Sequence, residues 1–278
     1  MIRPTTLLLC CALSVSSQEH KVVYTKQEQL LVAKVRTLHD VPDGIRGVMI
    51  KDAALEIRRL PASLNKLRLA DSVAFVSAEG DPGPETLQEV TTTLVEAMRE
   101  QPGKLDSAYL DLAQLAHYEH VKVSLSDPKF AAAMSKLEAD DQHRREVDFT
   151  LTDLSEKKQA LKDLHGKVVL VNFWATWNRS SWQELSDLEG LYQKFKKQDL
   201  VILGISSDKR PQVANFVKVR KITFPVLLDP EQKVAQLYKI LGVPKTFVYD
   251  REGKLVAQAM NVRSQRQFLN MLGEAGLR

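Results

Sequence analysis

Residues 167–186 read KVVLVNFWATWNRSSWQELS, and the reading of this stretch decides the fold. From Val168 to Phe173 an apolar run is broken only by Asn172, the pattern of a strand buried on both faces. Trp174-Ala175-Thr176-Trp177 then turns the chain into a helix, for which Asn178, Ser180 and Ser181 are candidate N-caps. All three tryptophans, Trp174, Trp177 and Trp182, fall in this segment. A buried strand feeding directly into a helix N-terminus creates an exposed, positively polarised rim where reactive or anion-binding groups sit.

Outward from this stretch toward the C-terminus, strands and helices alternate. Leu185, Leu188, Leu191, Tyr192 and Phe195 form one face of an amphipathic helix. Leu200 to Ile205 is a second buried strand, Val213 to Val219 a helix, Phe224 to Leu228 a short strand and Val234 to Tyr238 a helix. Lys245 to Tyr249 and Lys254 to Ala259 form strands joined by the turn Asp250-Arg251-Glu252-Gly253, and Gln265 to Leu272 closes with a helix. On the N-terminal side, Val147 to Leu151 alternates as a strand. The order predicts an α/β unit, a mixed sheet covered by helices on both faces, over residues 147–278.

A second motif, Gly242-Val243-Pro244-Lys245-Thr246-Phe247, stands at the start of the penultimate strand. Together with the Trp-Ala-Thr-Trp turn it resembles TlpA/ResA-type envelope thioredoxins, within the wider redoxin (AhpC/TSA-like) group. The resemblance spans about residues 147–276 and implies a thioredoxin-like fold with an extra N-terminal strand. In that family the turn carries Cys-x-x-Cys with a Glu three residues later. Here Asn178 and Ser181 stand at the two cysteine positions, and Glu184 matches the acid. The resemblance also implies a cis Val243-Pro244 bond beside the turn, with the Val243 backbone N–H and C=O directed outward to pair with an extended peptide.

A thiolate attacks a disulfide and a second thiol resolves the mixed product; asparagine cannot ionise, and a serine nucleophile needs a positioned base. Asn178 as N-cap, or a Ser181–Glu184 capping box, accounts for these residues more economically than catalysis. Glu184 near the helix start would complement the dipole. Ser206-Ser207-Asp208 reads as a cap for a helix beginning near Pro211.

Residues 19–146 show helical periodicity. Leu87, Val90, Leu94, Ala97 and Met98 mark one apolar face, Ala108, Leu112, Leu115 and Ala116 another, and Phe130, Met134 and Leu137 a third. Pro and Gly breaks at 41–44, 80–84, 102–103 and 127–128 leave room for five or six helices. This part is expected to be an α-helical domain, with the charged run 138–145 as a helix end leading into a linker. His117-x-x-His120 places two imidazoles on one helical face, with His143, Asp140 and Asp141 downstream, but metal binding needs a third and fourth ligand that spacing does not supply; no metal and no cofactor are expected.

Residues 1–18 read as a secretory signal: Arg3, an apolar stretch from Thr5 to Val15, then small residues. Leu9 before Cys10 disfavours lipidation, because a lipobox requires a small residue there. Both cysteines of the chain, Cys10 and Cys11, lie in this segment, so cleavage would leave a protein without a thiol or a disulfide. The formal charge of +4 comes from scattered Lys and Arg with no basic stripe, which argues against nucleic acid as a partner. No other apolar run is long enough to span a bilayer.

Three functional readings follow. The first is a redox-inactive thioredoxin-fold module, secreted or periplasmic, whose rim of Trp177, Asn178, Trp182, Val243 and Pro244 binds an extended segment of an envelope protein. The second is a thiol–disulfide oxidoreductase or peroxidase, as the resemblance implies. The third is a scaffold acting through its helices. The residues at 178 and 181 favour the first, because function resides in the site rather than the fold.

Overall fold

The computed structural model describes residues 22–259 and 261–277. The signal-segment reading, with Cys10 and Cys11, lies outside the described residues. Among the described residues, six α-helices precede a seven-stranded sheet: α1 (Lys26–Thr37), α2 (Asp43–Arg58), α3 (Leu64–Ser77), α4 (Pro84–Glu100), α5 (Asp106–Tyr118) and α6 (Pro128–Arg145). Their apolar stripes meet in one core built around Ile50, Ile57, Leu67, Leu94 and Leu112. Thr25 and Glu28 form a capping box at the start of α1, and Ser63 and Asp127 cap α3 and α6. No helix among the described residues is long and apolar enough to cross a membrane.

The sheet comprises β1 (Thr150–Asp153), β2 (Lys158–Ala160), β3 (Val168–Phe173), β4 (Leu200–Ser206), β5 (Val226–Leu228), β6 (Lys245–Tyr249) and β7 (Leu255–Ala259). Its order is β2-β1-β5-β4-β3-β6-β7. β3, β4 and β5 run parallel, while β6, β7, β1 and β2 pair antiparallel. Between them lie α7 (Arg179–Phe195), α8 (Arg210–Arg220), α9 (Lys233–Leu237) and α10 (Gln265–Glu274). Alternation along β3 sends Val168 and Leu170 to the face covered by α7 and α10, and Val169, Val171 and Phe173 to the face packed around Tyr238 and Phe247.

Two expectations are corrected here. The first strand starts at Thr150 rather than Val147, because Phe149 instead packs edge-on against Tyr238, at 6.1 Å between ring centroids. A short edge strand, β2, pairs with β1 where none was expected. As expected, the run 138–145 is a helix end, the last turns of α6; Asp140, Asp141 and Arg144 are buried there, and α6 is the joint between the two layers. There Arg144 donates to the Tyr238 carbonyl at 3.0 Å and to Asp141 at 2.8 Å, and Lys239 reaches Asp140 at 2.6 Å. Farther along the same seam, Arg263 pairs with Glu119 at 2.5 Å, Arg266 with Asp81 at 2.8 Å, and the Gly80 N–H meets the Val262 carbonyl.

Candidate functional site

The turn after β3 is held from beneath. Trp174 is buried, its backbone N–H donates to the Ile205 carbonyl, and its ring leans on Phe216 at 5.1 Å. Gly204 makes this seating possible, since a Cβ there would lie 3.0 Å from the Phe224 ring and 3.2 Å from Trp174 Nε1. Asp208 accepts the Thr176 N–H at 2.6 Å. It is therefore a brace for the turn, and α8 begins after Lys209 with no side-chain cap, contrary to the reading of 206–208 as its cap.

Asn178 is the N-cap of α7, its Oδ1 accepting the Ser181 N–H at 2.9 Å. Its Nδ2 donates to the Val243 carbonyl at 3.0 Å, so one side chain joins the helix start to the Val243–Pro244 turn. That peptide bond is cis, as the resemblance implied. The Val243 carbonyl, expected to be turned outward for a partner, is occupied by Asn178. Ser181 is fully buried, and its hydroxyl donates to Asn178 Oδ1 at 3.3 Å. No Ser181–Glu184 capping box forms. Glu184 instead points into the interior at 1% exposure, on the side where Asn172 breaks the apolar run of β3.

That buried group explains the lone polar residue of the central strand. Asn172 Nδ2 donates to Glu184 at 3.0 Å and to Thr246 Oγ1 at 2.9 Å, and the Arg263 backbone N–H donates to Glu184 at 2.8 Å. Burial pushes the Glu184 carboxyl up to about 7, against these hydrogen bonds and the nearby charges of Arg263 and Lys245. Lys245 is pulled down to about 8 by burial, which the Glu184 charge resists. Arg263 thus touches Glu184 through its backbone and Glu119 of the helical layer through its side chain.

The five residues assigned to the rim do not form one surface. Trp177 is 72% exposed. Trp182, expected to stand free beside the groove, is half-buried: its indole N–H donates to the Thr176 carbonyl at 2.9 Å, and its ring packs on Phe216 beneath the Arg220 guanidinium. Asn178, Val243 and Pro244 face the other way, into a cleft of about 520 Å³ between the two layers. Its far wall comes from α3, α5 and α6, through Phe75, Leu110, Asp111 and Leu137. Phe75 and Leu241 are large apolar side chains lining this cleft, 49% and 93% exposed. Sequence reading missed this wall. Its only signal was the apolar residue Phe75, set among other apolar residues of α3.

His117 pairs with Asp141 at 2.6 Å, whereas α5 ends at Tyr118 and His120 lies beyond it, exposed, at φ 54°. The two imidazoles therefore do not share a helical face. Among the described residues no group of three or more His, Cys, Asp or Glu is placed to hold a metal ion.

Residues 144–258 match the AhpC/TSA family. Thiol-disulfide oxidoreductase ResA of Bacillus anthracis is 37% identical over 120 residues, 43% of this chain and 69% of that protein. ResA of Bacillus subtilis (strain 168) is 36% identical over 109 residues, 39% of this chain and 61% of that protein. Among solved structures, a thiol:disulfide interchange protein of the thioredoxin family from Chlorobium tepidum TLS aligns over 46% of this chain and 92% of its own, at 26% identity and a TM-score of 0.43. With the family match over residues 144–258 and ResA relatives 37% identical over 69% of their length, the chain belongs to the thioredoxin-like AhpC/TSA redoxin family.

Proposed function

We propose that this protein is a redox-inactive redoxin, exported to the cell envelope, that holds an extended polypeptide segment in the cleft between Val243-Pro244 and the helical layer. The observation that carries the reading is the double bond-making of Asn178. At the position where the resemblance places an attacking thiol, a non-ionising amide caps α7 and reaches the Val243 carbonyl. Ser181, at the second position, is buried, and its hydroxyl donates to Asn178. The relatives named ResA are thiol-disulfide oxidoreductases, and that chemistry requires a thiolate. The two cysteines of this chain are Cys10 and Cys11, far from the turn in sequence.

The cleft supplies apolar side chains for a polypeptide on both walls, Phe75, Leu110 and Leu137 on one and Leu241, Val243 and Pro244 on the other. Two measurements test the reading. Insulin reduction should stay at the buffer blank, and turnover above it overturns the redox-inactive half. Reduced, carboxymethylated α-lactalbumin, a permanently extended chain, should bind the full protein saturably, with Leu241→Asp weakening the affinity about tenfold. Equal binding by both proteins overturns the cleft half.

A further inference from the structure

Two short basic runs stand apart in sequence: Lys194 with Lys196-Lys197 around the end of α7, and Lys218 with Arg220-Lys221 around the end of α8. The fold sets them side by side. Thr223, just past the second run, donates its backbone N–H and its hydroxyl to Glu189 of α7, each at 2.7 Å. Gln193 Nε2 reaches the same hydroxyl at 2.6 Å, and Phe224 stands edge-on to Tyr192 at 6.0 Å. Lys196 lies over that Tyr192 ring, 5.8 Å from its centroid. Lys221 makes the return possible: it ends α8 in the left-handed region, at φ 56°, where glycine is the usual residue, and the chain turns back along α7.

Neither run alone is long enough to hold a polyanion; together they make one cationic surface. All six cations are exposed, and none enters an ion pair among the described residues. Two acids lie close to the runs. Glu189 offsets one of the charges, while Asp199 is paired with Lys167. Among the cations of the second run stands Val219, a large apolar side chain 67% exposed. The aromatic rings here are no stacking platform for bases, since Phe224 is buried and Tyr192 half-buried beneath Lys196. Clustered Lys and Arg around an exposed apolar tip suit a surface that is anionic at its headgroups and apolar just below them.

We propose that the joined ends of α7 and α8 seat the protein on an anionic phospholipid surface, the lysines meeting the headgroups and Val219 entering between them. The association is peripheral, because no helix among the described residues is long and apolar enough to cross a membrane. None of these residues lines the cleft between the two layers, so lipid and polypeptide are held by separate parts of the molecule.

The test is co-sedimentation of the full chain with vesicles of phosphatidylcholine, made with and without phosphatidylglycerol. The protein should bind the anionic vesicles more tightly, and increasingly so as salt is lowered. Each lysine removed from the surface should weaken the affinity about fivefold, so Lys196→Gln with Lys218→Gln, one from each run, should lose about 25-fold. Lys104→Gln with Lys122→Gln, two exposed lysines of the helical layer, lowers the net charge equally and should change the affinity by less than about twofold. Val219→Ser, with no change of charge, should weaken it about threefold. The N-terminal apolar segment is present in every variant, so only differences between variants count. Equal binding to the two kinds of vesicle, or an equal loss from the helical-layer pair, overturns the proposal. An unchanged affinity in Val219→Ser overturns the insertion of that side chain. Tighter binding to a double-stranded DNA fragment than to the anionic vesicles at the same salt would make this a nucleic-acid surface and overturn the lipid assignment.

Discussion

The two sides of the turn after β3 carry opposite instructions. On one side Trp177 meets solvent, and Trp182 is absorbed into α8 through Phe216 and Arg220. On the other, Asn178 and Val243 are bonded to one another at the floor of a cleft walled by helices roughly a hundred residues earlier in the chain. The aromatic side is conspicuous in sequence yet is devoted to packing or faces water. The polar side is inconspicuous yet opens onto a cleft to which both layers contribute side chains. A cluster of tryptophans therefore identifies where a turn is anchored, not where a ligand sits.

The largest expected effect comes from restoring sulfur to the polar side. Asn178→Cys with Ser181→Cys should yield a disulfide under mild oxidation and insulin-reducing turnover where the native chain shows none. The helix N-terminus that now receives the Asn178 cap would favour a thiolate at position 178. Thiol titration before and after oxidation checks it. Failure of the two cysteines to bridge would show that the turn does not superimpose on the redox-active turn of its relatives.

Much of this geometry was legible in sequence. β3 and β4 appear where expected, β4 one residue longer, because apolar runs buried on both faces leave no competing pattern. The Asn178 cap was legible because capping is a local interaction. What escaped has a common physical cause. β2 is a three-residue edge strand whose register depends on a partner, β1. Glu184 was expected as a first-turn carboxylate complementing the dipole, but with Asn178 as the cap it falls beyond the first turn of α7, and the Asn172 amide and the Arg263 backbone hold it in the interior. The cleft joins residues from separate helices and from the sheet layer, and no periodicity along one segment encodes such a meeting.

The next effect in size concerns the buried acid beneath the turn. The folded protein keeps the Glu184 proton up to about pH 7, whereas the unfolded chain releases it near 4.5. Unfolding therefore releases a proton, and this group's contribution is fully present below about pH 4.5, declines as pH rises to about 7 and is flat above. At about 1.4 kcal/mol per tenfold change in proton affinity, the loss amounts to about 3 kcal/mol. Lys245, pulled down to about 8, acts with the opposite sign and only at higher pH, where stability returns between about 8 and 10.5. Urea midpoints of the native protein and Glu184→Gln, compared from pH 4.5 to 7.5, isolate the term: the native curve should slope down more steeply. Parallel curves would mean that Glu184 is ionised throughout.

Trp182→Ala probes the aromatic side and should cost about 2 kcal/mol, less than a fully buried tryptophan, because the ring is half-buried. The lost indole bond to the Thr176 carbonyl and the bared Phe216 are its causes. Affinity for an extended chain should stay within about twofold, in contrast to the tenfold expected at Leu241. A large loss of binding with unchanged stability would reverse the assignment of the two sides.

The smallest effect is the most discriminating, because it carries two signs at once. Asn178→Ala removes both the cap on the Ser181 N–H and the bond to the Val243 carbonyl. The cap alone is worth about 1 kcal/mol, so a modest drop in the urea midpoint is expected. The Val243 carbonyl, however, is released for the backbone N–H of a bound strand. A net hydrogen bond of about 1 kcal/mol corresponds to roughly fivefold tighter binding. Asn178→Asp separates the two contributions: its carboxylate still accepts at the helix start, favoured by the dipole, but it has no proton to donate to Val243. Stability should therefore be retained in Asn178→Asp while affinity rises as in Asn178→Ala. If both variants bind the extended chain no better than the native protein, the Val243 carbonyl takes no part in binding, and the cleft holds its ligand through side chains alone.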